Sequence, residues 1–374
     1  MPLDEHDLRH LRRALELAHT AIGRSDPNPR VGCVLADAQG RVVGEGATQR
    51  AGEAHAEVMA LRAAQAASAD SKGGTAWVSL EPCSHHGRTP PCCDALVAAK
   101  LARVVVATID PNPLVRGGGI QKLRDAGIRV DIAEGDLANE ARELNIGFVS
   151  RMRRQRPWVR LKVASSLDGR TALPDGRSRW ITGVEARTDG HAWRRRAGAV
   201  LTGSGTALAD NPRLDVRLVA TEVQPLRVLI DSQLRVPATS HLFDAPGSAL
   251  VYCARAGSGV DALRQRGVEV IERPAADGRV DLYAALVDLA QRGVNELHVE
   301  GGPRLNAALV ASDLVDEFLL YLAPKLIGAG QPIATLPELT ALDSAPTLRF
   351  VSVTPCGGDL RIIARPPDRE RSLD

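Results

Sequence analysis

The feature that most constrains the fold of this chain is a set of potential metal ligands that lie far apart in the sequence. His55 is followed two residues later by Glu57, and Cys83 and Cys92 occur further along the chain. One imidazole and two thiolates can hold a zinc ion tetrahedrally and leave its fourth position open for water, as catalytic zinc sites do. The fold is therefore expected to bring His55, Cys83 and Cys92 together, with Glu57 free to move protons beside an activated water.

Local sequence patterns indicate which elements would carry these ligands. Residues 55–66 have the apolar spacing of a helix, residues 75–80 that of a strand, and a helix is expected to begin at about Cys92. Two helix N-termini would then meet at the metal, where their dipoles would help to keep the thiolates deprotonated. The alternatives are a structural zinc site with Cys93 as fourth ligand, or ordinary buried cysteines beside a surface histidine. A structural site normally uses four protein ligands, and it would leave Glu57 without a function.

Length and composition limit what kind of protein this can be. With 374 residues the chain is longer than a single hydrophobic core usually is, so two domains are expected. A net charge of +2 and an aromatic content of 3% argue against a nucleic-acid partner, which would require basic and stacking surfaces. Neither a secretory signal nor an apolar stretch long enough to cross a bilayer is apparent, so no membrane partner is expected. The six scattered cysteines do not resemble a disulfide framework, which indicates a reducing, cytoplasmic setting.

Helical and strand patterns alternate through the first part of the chain, which predicts a layered α/β domain. Helices are predicted at residues 7–23, 55–66, 120–127 and 137–149, and one more is predicted to begin at about Cys92. Strands are predicted at residues 31–35, 42–46, 75–80, 103–109 and 130–133. A basic run follows at residues 151–157, without an apolar period. It is interpreted as a solvated connector rather than as a phosphate or nucleic-acid site, and it divides the chain into domains of residues 1–150 and 151–374.

The second part of the chain alternates again and predicts a second α/β domain. Its predicted strands lie at residues 158–163, 199–202, 227–230, 249–252, 268–272, 297–300, 317–322 and 360–364, and its helices at residues 185–196, 260–266, 282–292 and 304–311. Residues 366–374 are expected to form a disordered tail.

Two turns of small residues in this second part could bind phosphate groups. One is Gly301-Gly302, between a strand and a helix, and the other is the run at residues 202–206. Free N–H groups at a helix N-terminus bind anions, but neither turn matches the dinucleotide fingerprint, and a tight turn explains each about as well. Nearby polar residues are either strand ends and caps or a nucleotide site at the carboxyl ends of strands. These residues are Lys162, Ser165, Asp168, Arg194, Asp210, Arg217 and Asp231.

Longer motifs are similar to those of one known family. Residues 81–92 read EPCSHHGRTPPC and residues 28–32 read NPRVG, while the second part contains KVASSLDGR at 162–170, WIT at 180–182, LADNP at 208–212 and EGG at 300–302. Over nearly its whole length the chain therefore resembles the bifunctional riboflavin-biosynthesis deaminase–reductases. The resemblance implies an N-terminal cytidine-deaminase-like α/β domain and a C-terminal dihydrofolate-reductase-like α/β domain.

The same resemblance implies two consecutive reactions on small phosphorylated pyrimidines. The first is the zinc-dependent hydrolytic deamination of 2,5-diamino-6-(5-phosphoribosylamino)pyrimidin-4(3H)-one. The second is the NADPH-dependent reduction of the ribosyl group of 5-amino-6-(5-phosphoribosylamino)uracil to a ribityl chain. A homo-oligomer is also expected.

Roles follow from the resemblance by matching positions. In the first domain His55, Cys83 and Cys92 would hold Zn²⁺, Glu57 would move protons, and Asn28 and Arg88 would contact the substrate. In the second domain the substrate positions would be Lys162, Ser178, Arg194, Leu214, Arg217 and Glu300, with the two arginines suited to the phosphate. The NADPH positions would be Ala164, Trp180, Thr206, Asp210, Ser232, Gly302, Pro303, Arg304, Leu305, Asn306, Ala307 and Ala308.

One position departs from the family pattern. Many relatives have a histidine seven residues before the zinc histidine, where this chain has Thr48, and His85 or His86 is the suggested substitute. The alternative function is a nucleic-acid or nucleoside deaminase with an accessory nucleotide-binding domain, which should carry a more basic and aromatic surface. A binding module with a structural zinc is the non-enzymatic alternative.

Overall fold

The chain forms two compact units, which are described separately. The computed structural model describes residues 3–85, 87, 90–257, 259–367, 369, 370 and 373. The first unit comprises residues 1–154 and the second residues 155–374. The basic residues up to Arg154 belong to a helix, Ile146–Arg154, and Arg151 Nη2 donates a hydrogen bond to the carbonyl of Pro27 at 2.9 Å. The interpretation of residues 151–154 as a solvated connector is therefore wrong, because they complete that helix.

A five-stranded mixed sheet forms the middle of the first unit. Its strands are β1 (Gly32–Ala36), β2 (Val42–Ala47), β3 (Thr75–Val78), β4 (Arg103–Val106) and β5 (Arg129–Ile132). Their order is β2-β1-β3-β4-β5. Strand β1 is antiparallel to β2 and β3, whereas β3, β4 and β5 run parallel. Segments that follow β3 and β4 consequently begin at the same edge of the sheet.

Helices cover both faces of this sheet. They are α1 (Glu5–His19), α2 (Ala56–Ala66), α3 (Cys92–Ala98), α4 (Gly118–Asp125), α5 (Asp136–Leu144) and α6 (Ile146–Arg154). Alternate residues of a strand point to opposite faces. Accordingly, Val34 and Trp77 pack in one core with α1 and α5, whereas Cys33 and Val78 pack in the other core with α2, α3 and α4. The predicted layered α/β arrangement is confirmed.

One predicted helix, at residues 137–149, is divided in two. Helix α5 ends at Leu144 and α6 begins at Ile146, with Asn145 between them. The Asn145 side chain accepts a hydrogen bond from the N–H of Arg30 at 2.7 Å and donates one to the carbonyl of Arg30 at 2.9 Å. The break therefore comes from a contact with a distant segment, which the apolar period of the helix does not reveal.

A nine-stranded sheet forms the middle of the second unit. In sheet order its strands are β11 (Glu269–Glu272), β10 (Ala249–Cys253), β9 (Leu226–Ile230), β8 (Ala199–Gly203), β12 (Glu296–Val299), β6 (Trp158–Ser166), β13 (Glu317–Ala323), β16 (Asp359–Arg365) and β15 (Arg349–Cys356). Neighbours from β11 to β13 are parallel, and β16 is antiparallel to both β13 and β15. A separate antiparallel pair joins β7 (Arg170–Ala172) and β14 (Gln331–Pro332).

The helices of the second unit include four that were predicted and two that were not. The predicted ones are α7 (Val184–Arg196), α10 (Val260–Gln265), α11 (Leu282–Gln291) and α12 (Pro303–Ala311). The additional ones are α8 (Ser204–Asp210) and α9 (His241–Asp244), and a short 3-10 helix spans Leu342–Ser344. Among the described residues, no helical segment combines enough length with enough apolar character to traverse a lipid bilayer.

The predicted disordered tail is only partly covered by the structure, since residues 368, 371, 372 and 374 lie outside the described residues. Within the described part, Glu370 pairs with Arg349 at 2.9 Å and also contacts Arg365. For these positions the expectation of a disordered tail is wrong.

The strand order of the second unit defines where a ligand can bind. From β6 the chain proceeds outward through β8, β9, β10 and β11, and it then returns to insert β12 between β8 and β6. The carboxyl ends of β8 and β12 thus lie beside the middle of β6, where Leu161 pairs with Val299. Open parallel sheets bind ligands at such a reversal of strand order, outside the carboxyl ends of the strands.

In the first unit, the position of α2 depends on two glycines of β2. A Cβ atom on Gly44 would lie 2.1 Å from the carbonyl oxygen of Ala60, and one on Gly46 would lie 2.4 Å from that of Ala56. Both distances are far below a van der Waals contact, so only glycine lets the helix backbone approach the strand this closely. Because α2 begins directly after His55, the same contact sets the position of a predicted metal ligand.

We expect Gly46→Ala to destabilise the first unit by about 1–3 kcal/mol, since the added methyl group must displace α2 or β2. Chemical denaturation followed by tryptophan fluorescence, to which the buried Trp77 contributes for the first unit, would measure the change. Gly205→Ala is the matched control, because a Cβ atom there meets no atom within 4 Å. Equal effects of the two substitutions would contradict the close-packing argument.

Candidate active sites

The first unit brings the three predicted metal ligands together. His55 is the N-cap residue of α2, and Cys92 is the first residue of α3. His55 Nδ1 lies 3.3 Å from Cys92 Sγ and 3.7 Å from Cys83 Sγ. The three ligand atoms all lie within 4.8 Å of one another. One imidazole nitrogen and two sulfurs grouped in this way fit zinc, and the prediction that two helix starts carry ligands is confirmed.

Cys83 is held by the beginning of α3. Its Sγ accepts a hydrogen bond from the N–H of Cys92 at 3.3 Å, and its carbonyl accepts one from the N–H of Cys93 at 3.2 Å. The hydrogen bond with the Cys92 thiol lowers the pKa of Cys83 to about 4, and the same contact raises the pKa of Cys92. The pair therefore favours one thiolate at neutral pH, and the thiolate is the form that binds a metal.

Glu57 lies in the first turn of α2, beside the three ligands, and is buried. Burial, followed by the charge of Cys83, raises the pKa of Glu57 to about 7, while His55 acts in the opposite direction. A carboxyl group that titrates near neutral pH can accept a proton and later return it, which is what general acid–base catalysis requires.

Cys93, the alternative fourth ligand, points away from this group. Its thiol donates to the carbonyl oxygens of Pro82 and Gly119, at 3.2 and 3.5 Å. Burial is the main cause that raises the pKa of Cys93, so the thiol stays protonated. This arrangement disfavours a structural zinc site with four protein ligands.

Other predicted residues of the first site have different outcomes. Asn28 Nδ2 lies 3.5 Å from His55 Nε2, which places Asn28 beside the ligands, whereas Arg88 lies outside the described residues. Thr48 is buried, and its hydroxyl donates to the carbonyl of Val31 at 3.4 Å. His85, one suggested substitute for the missing histidine, is exposed. His86, the other, lies outside the described residues.

In the second unit, Glu300 follows β12 and is the centre of a charged cluster. Arg194 of α7 donates from Nε and Nη2 to its two carboxylate oxygens, at 2.5 and 2.9 Å. Although burial opposes ionisation, Arg194 and Lys162 hold the pKa of Glu300 well below its usual range. Burial lowers the pKa of Lys162, against the effect of Glu300. Three predicted substrate residues are thus together: Glu300 directly after β12, Lys162 in the middle of β6 and Arg194 in α7.

Arg217 joins this cluster through a neighbouring loop. Its Nη1 donates to Asp215 Oδ1 at 2.6 Å, and the carbonyl of Asp215 accepts a hydrogen bond from Arg194 Nη1 at 2.9 Å. The guanidinium of Arg194 is therefore engaged by Glu300 and Asp215. Arg217 is the more exposed of the two arginines, and it is better placed to grip a phosphate. The predicted substrate residue Leu214 has its side chain in an apolar cluster, so it would present only its backbone to a ligand.

Sequence reasoning missed three residues of this cluster, namely Asp215, His191 and His298. Burial lowers the pKa of His191 to about 4, and its neutral Nδ1 accepts a hydrogen bond from the N–H of Arg217 at 3.1 Å. His298 is fully buried, with Nε2 3.4 Å from Glu300 Oε1. His191 is recognised only through a contact across 26 residues, and no local motif marks it. His298, two residues before Glu300, could have been suspected from the alternation of β12.

The two turns of small residues lie against each other at the same sheet edge. Gly203 and Gly302 are the N-cap residues of α8 and α12. A Cβ atom on Gly302 would lie 3.1 Å from Thr206 Oγ1, and one on Gly203 would lie 3.2 Å from Leu305 Cδ2. The first turn of α12 can therefore offer backbone N–H groups to a phosphate of NADPH. The remaining predicted NADPH residues in this helix are Pro303, Arg304, Leu305, Asn306, Ala307 and Ala308.

The other predicted positions are distributed around this edge. Ser178 hydrogen-bonds to Asp210, at the end of α8. Ala164 lies in β6, and the Trp180 side chain is 63% exposed. Ser232 follows β9, and its hydroxyl accepts a backbone N–H at 3.1 Å. Among the described residues, neither Trp180 nor Ser232 forms a hydrogen bond or an ion pair with the Glu300 cluster.

Two of the polar residues near these turns follow strands and bind loop N–H groups. Asp168 accepts hydrogen bonds from the N–H groups of Ile327 and Gly328, at 3.1 and 2.7 Å. Asp231 accepts one from the N–H of Val236 at 2.8 Å. For these two aspartates the structure supports the interpretation as strand ends.

Comparison with known proteins accounts for both units. Residues 4–108 match the cytidine and deoxycytidylate deaminase zinc-binding region, and residues 157–362 match the RibD C-terminal domain. The riboflavin biosynthesis protein RibD of Escherichia coli (strain K12) is 43% identical over 95% of this chain and 98% of its own length. The chain belongs to the RibD family.

Further RibD proteins are similar in sequence and structure. RibD of Aquifex aeolicus (strain VF5) is 40% identical, over 96% of this chain and 98% of its own length. The crystal structure of Acinetobacter baumannii RibD gives a TM-score of 0.87 at 38% identity and covers 97% of this chain and 99% of the other. A Thermotoga maritima protein, named as a diaminohydroxyphosphoribosylaminopyrimidine deaminase/5-amino-6-(5-phosphoribosylamino)uracil reductase, gives 0.87 at 32% identity and covers 96% and 99%.

Membership of the RibD family makes this chain a bifunctional deaminase and reductase of riboflavin biosynthesis. It uses zinc in the deaminase unit and NADPH in the reductase unit. The predicted fold class, a cytidine-deaminase-like domain followed by a dihydrofolate-reductase-like domain, is confirmed. The alternatives of a nucleic-acid or nucleoside deaminase and of a non-enzymatic binding module are set aside by the same finding.

The adjacent cysteines provide a matched test of the zinc ligands. We expect Cys92→Ser to lose bound zinc, because a hydroxyl, a poor zinc ligand, replaces the sulfur that lies 3.3 Å from His55 Nδ1. Cys93→Ser should keep zinc, because the Cys93 thiol faces Pro82 and Gly119. Elemental mass spectrometry after dialysis would measure the zinc content per chain of both variants. Loss of zinc from the Cys93 variant alone, or from both to the same extent, would contradict this ligand set.

Proposed function

We propose that the first unit deaminates 2,5-diamino-6-(5-phosphoribosylamino)pyrimidin-4(3H)-one by hydrolysis. The second unit then reduces the ribosyl group of the resulting 5-amino-6-(5-phosphoribosylamino)uracil to a ribityl chain. The observation that carries the first step is the group of His55, Cys83 and Cys92 beside the buried carboxyl of Glu57. The name of the similar Thermotoga maritima protein supports these substrates.

In the proposed deaminase site, His55, Cys83 and Cys92 hold zinc, and Glu57 moves protons. The chemistry that the bound cofactors supply is an activated water molecule at zinc and a hydride from NADPH. One proton of the attacking water passes to the ring nitrogen beside the new carbonyl. Glu57 accepts the other proton and gives it to the departing amino group, which leaves as ammonia. Its pKa of about 7 suits both transfers. Asn28, beside His55, orients the pyrimidine, and Arg88 is the second proposed substrate contact.

In the proposed reductase site, Glu300 and Lys162 face the sugar, and Arg217 holds the phosphate. Arg194 orients the carboxylate of Glu300 through its two hydrogen bonds. Ser178 and the backbone of Leu214 complete the substrate contacts. The turns before α8 and α12 would hold NADPH, and the backbone N–H groups at the N-terminus of α12 would bind one of its anionic groups. The proposed cofactor contacts are Ala164, Trp180, Thr206, Asp210, Ser232, Gly302, Pro303, Arg304, Leu305, Asn306, Ala307 and Ala308.

We expect Glu57→Gln to retain zinc but to release ammonia at least about 100-fold more slowly, because an amide cannot take up the proton from water. The first substrate supplied without NADPH isolates this step, and ammonia release measures it. The variant should still oxidise NADPH at the normal rate when the uracil intermediate is supplied. Unchanged ammonia release would remove Glu57 from the mechanism.

The reciprocal variant, Glu300→Gln, controls for general damage to the chain. It should release ammonia normally but oxidise NADPH at least about tenfold more slowly, since Arg194 and Lys162 lose the anion that orients them. An unaffected reductase rate would show that Glu300 does not act in that site. Loss of both activities in either variant would contradict the assignment of one reaction to each unit.

We infer further that the enzyme is a homo-oligomer and works in the cytoplasm. Strand β15 is the last in its sheet, and it leaves Phe350 and Val353 68% and 52% exposed; an exposed apolar edge strand favours pairing with a second copy. All six cysteines are free, which is typical of a reducing compartment. Light scattering should give at least twice the mass of one chain, and a monomer would contradict the inference. Cell fractionation tests the compartment.

A further inference from the structure

Glu81 has an environment that the two reactions do not explain. It follows β3 by three residues and is only 3% exposed. One carboxylate oxygen accepts hydrogen bonds from the N–H groups of Asp110 and Gly117, at 3.1 and 3.0 Å. The other accepts from the N–H groups of Gly119 and Ile120, at 2.9 and 3.2 Å. All four recorded partners are backbone N–H groups.

These four donors belong to the segment that leads from β4 into α4. Gly119 and Ile120 lie in the first turn of α4, whose N-cap residue, Gly117, has a φ of 75° and no side chain with which to cap the helix. Glu81, in the loop after β3, therefore provides the hydrogen-bond acceptor that an N-cap side chain normally provides. The N–H of Glu81 donates to the carbonyl of Thr108 at 2.9 Å. Both the backbone and the side chain of Glu81 therefore bind the segment that connects β4 with α4.

The one residue between Glu81 and Cys83, Pro82, is held in place as well. The carbonyl of Pro82 accepts a hydrogen bond from Cys93 Sγ at 3.2 Å. A Cβ atom on Gly119 would lie only 2.0 Å from that carbonyl oxygen, so the first turn of α4 lies directly against the Pro82 peptide. Cys83 follows, with its Sγ held by the N–H of Cys92 at 3.3 Å. A displacement of Glu81 would thus pass to Cys83 through a single tightly packed residue.

We propose that Glu81 is a positioning residue that sets the place of Cys83 Sγ relative to His55 and Cys92. The inference depends on the proposed role of Cys83 as a zinc ligand. A glutamine has the same shape, but its amide group would turn a donor toward at least one of the four N–H groups that now meet an acceptor. The loop and the first turn of α4 would then move away, and the sulfur would follow them.

The test uses Co²⁺ in place of zinc in the full-length protein, because cobalt reports ligand geometry by its absorption. With Co²⁺, the unsubstituted protein should show thiolate-to-cobalt charge-transfer bands and the visible bands of a four-coordinate ion. Glu81→Gln should shift the visible bands and weaken Co²⁺ and Zn²⁺ binding by roughly ten- to a hundredfold, as substitutions behind a metal ligand commonly do. NADPH oxidation with the supplied uracil intermediate should not change.

Asp37→Asn is the matched control. Asp37 is also a buried carboxylate, and it accepts hydrogen bonds from the N–H groups of Gln39 and Arg41, at 2.9 Å each. It follows Ala36, which pairs with Thr75 at the start of β3, so it lies at the sheet edge opposite Glu81. This variant should lose stability but keep the cobalt spectrum, which separates positioning from general destabilisation.

A second variant, Glu81→Asp, covers the case in which the glutamine variant does not fold. It keeps the charge but cannot reach all four N–H groups, so a smaller shift of the cobalt bands is expected. A spectrum and a metal affinity equal to those of the unsubstituted protein, in either Glu81 variant that folds, would overturn the proposal. If the unsubstituted protein shows no thiolate-to-cobalt bands, the zinc ligands themselves are wrongly assigned, and the role of Glu81 falls with them.

Discussion

Both sites contain a carboxylate shortly after a parallel strand, Glu81 buried and Glu300 partly buried. Moving such a charge out of water costs several kcal/mol unless the surrounding groups compensate it. The two units provide that compensation differently, since Glu81 is surrounded by backbone N–H groups and Glu300 by the side chains of Arg194 and Lys162. Neutral N–H groups tie the charge to the backbone and therefore fix a loop. Cationic side chains instead build a charged surface that can face a ligand.

The zinc site shows how packing of the backbone becomes placement of a ligand. Helix α2 lies against β2 at Gly44 and Gly46, where any side chain would strike the helix backbone. This contact therefore fixes the position of the helix and, with it, the position of its N-cap residue, His55. Cys92 begins a second helix, and its N–H reaches back to the sulfur of Cys83. The ligand geometry thus follows from main-chain contacts around the three residues.

The features that could be predicted from the sequence are those determined over a few residues. The three residues that the fold brings together could be named from their type and spacing, and their role as zinc ligands stays a prediction. The helix that starts after His55 is predicted to within one residue, because apolar periodicity and helix starts are local signals. The orientation of Cys93 depends on the carbonyls of Pro82 and Gly119, and the helix break at Asn145 depends on a segment more than a hundred residues away. Such long-range contacts leave no period in the sequence.

The two glutamates nearest the chemistry, Glu57 and Glu300, show how surroundings decide the role of one residue type. Glu57 is buried beside thiols, and its pKa of about 7 lets it change protonation state during a reaction at neutral pH. Glu300 is gripped by Arg194 and lies near Lys162, so its pKa falls well below its usual range, and it remains an anion throughout. A hydrolytic deamination needs a group that takes and returns a proton, whereas a hydride transfer needs a substrate held in one orientation. The electrostatics of each unit therefore match the reaction of that unit.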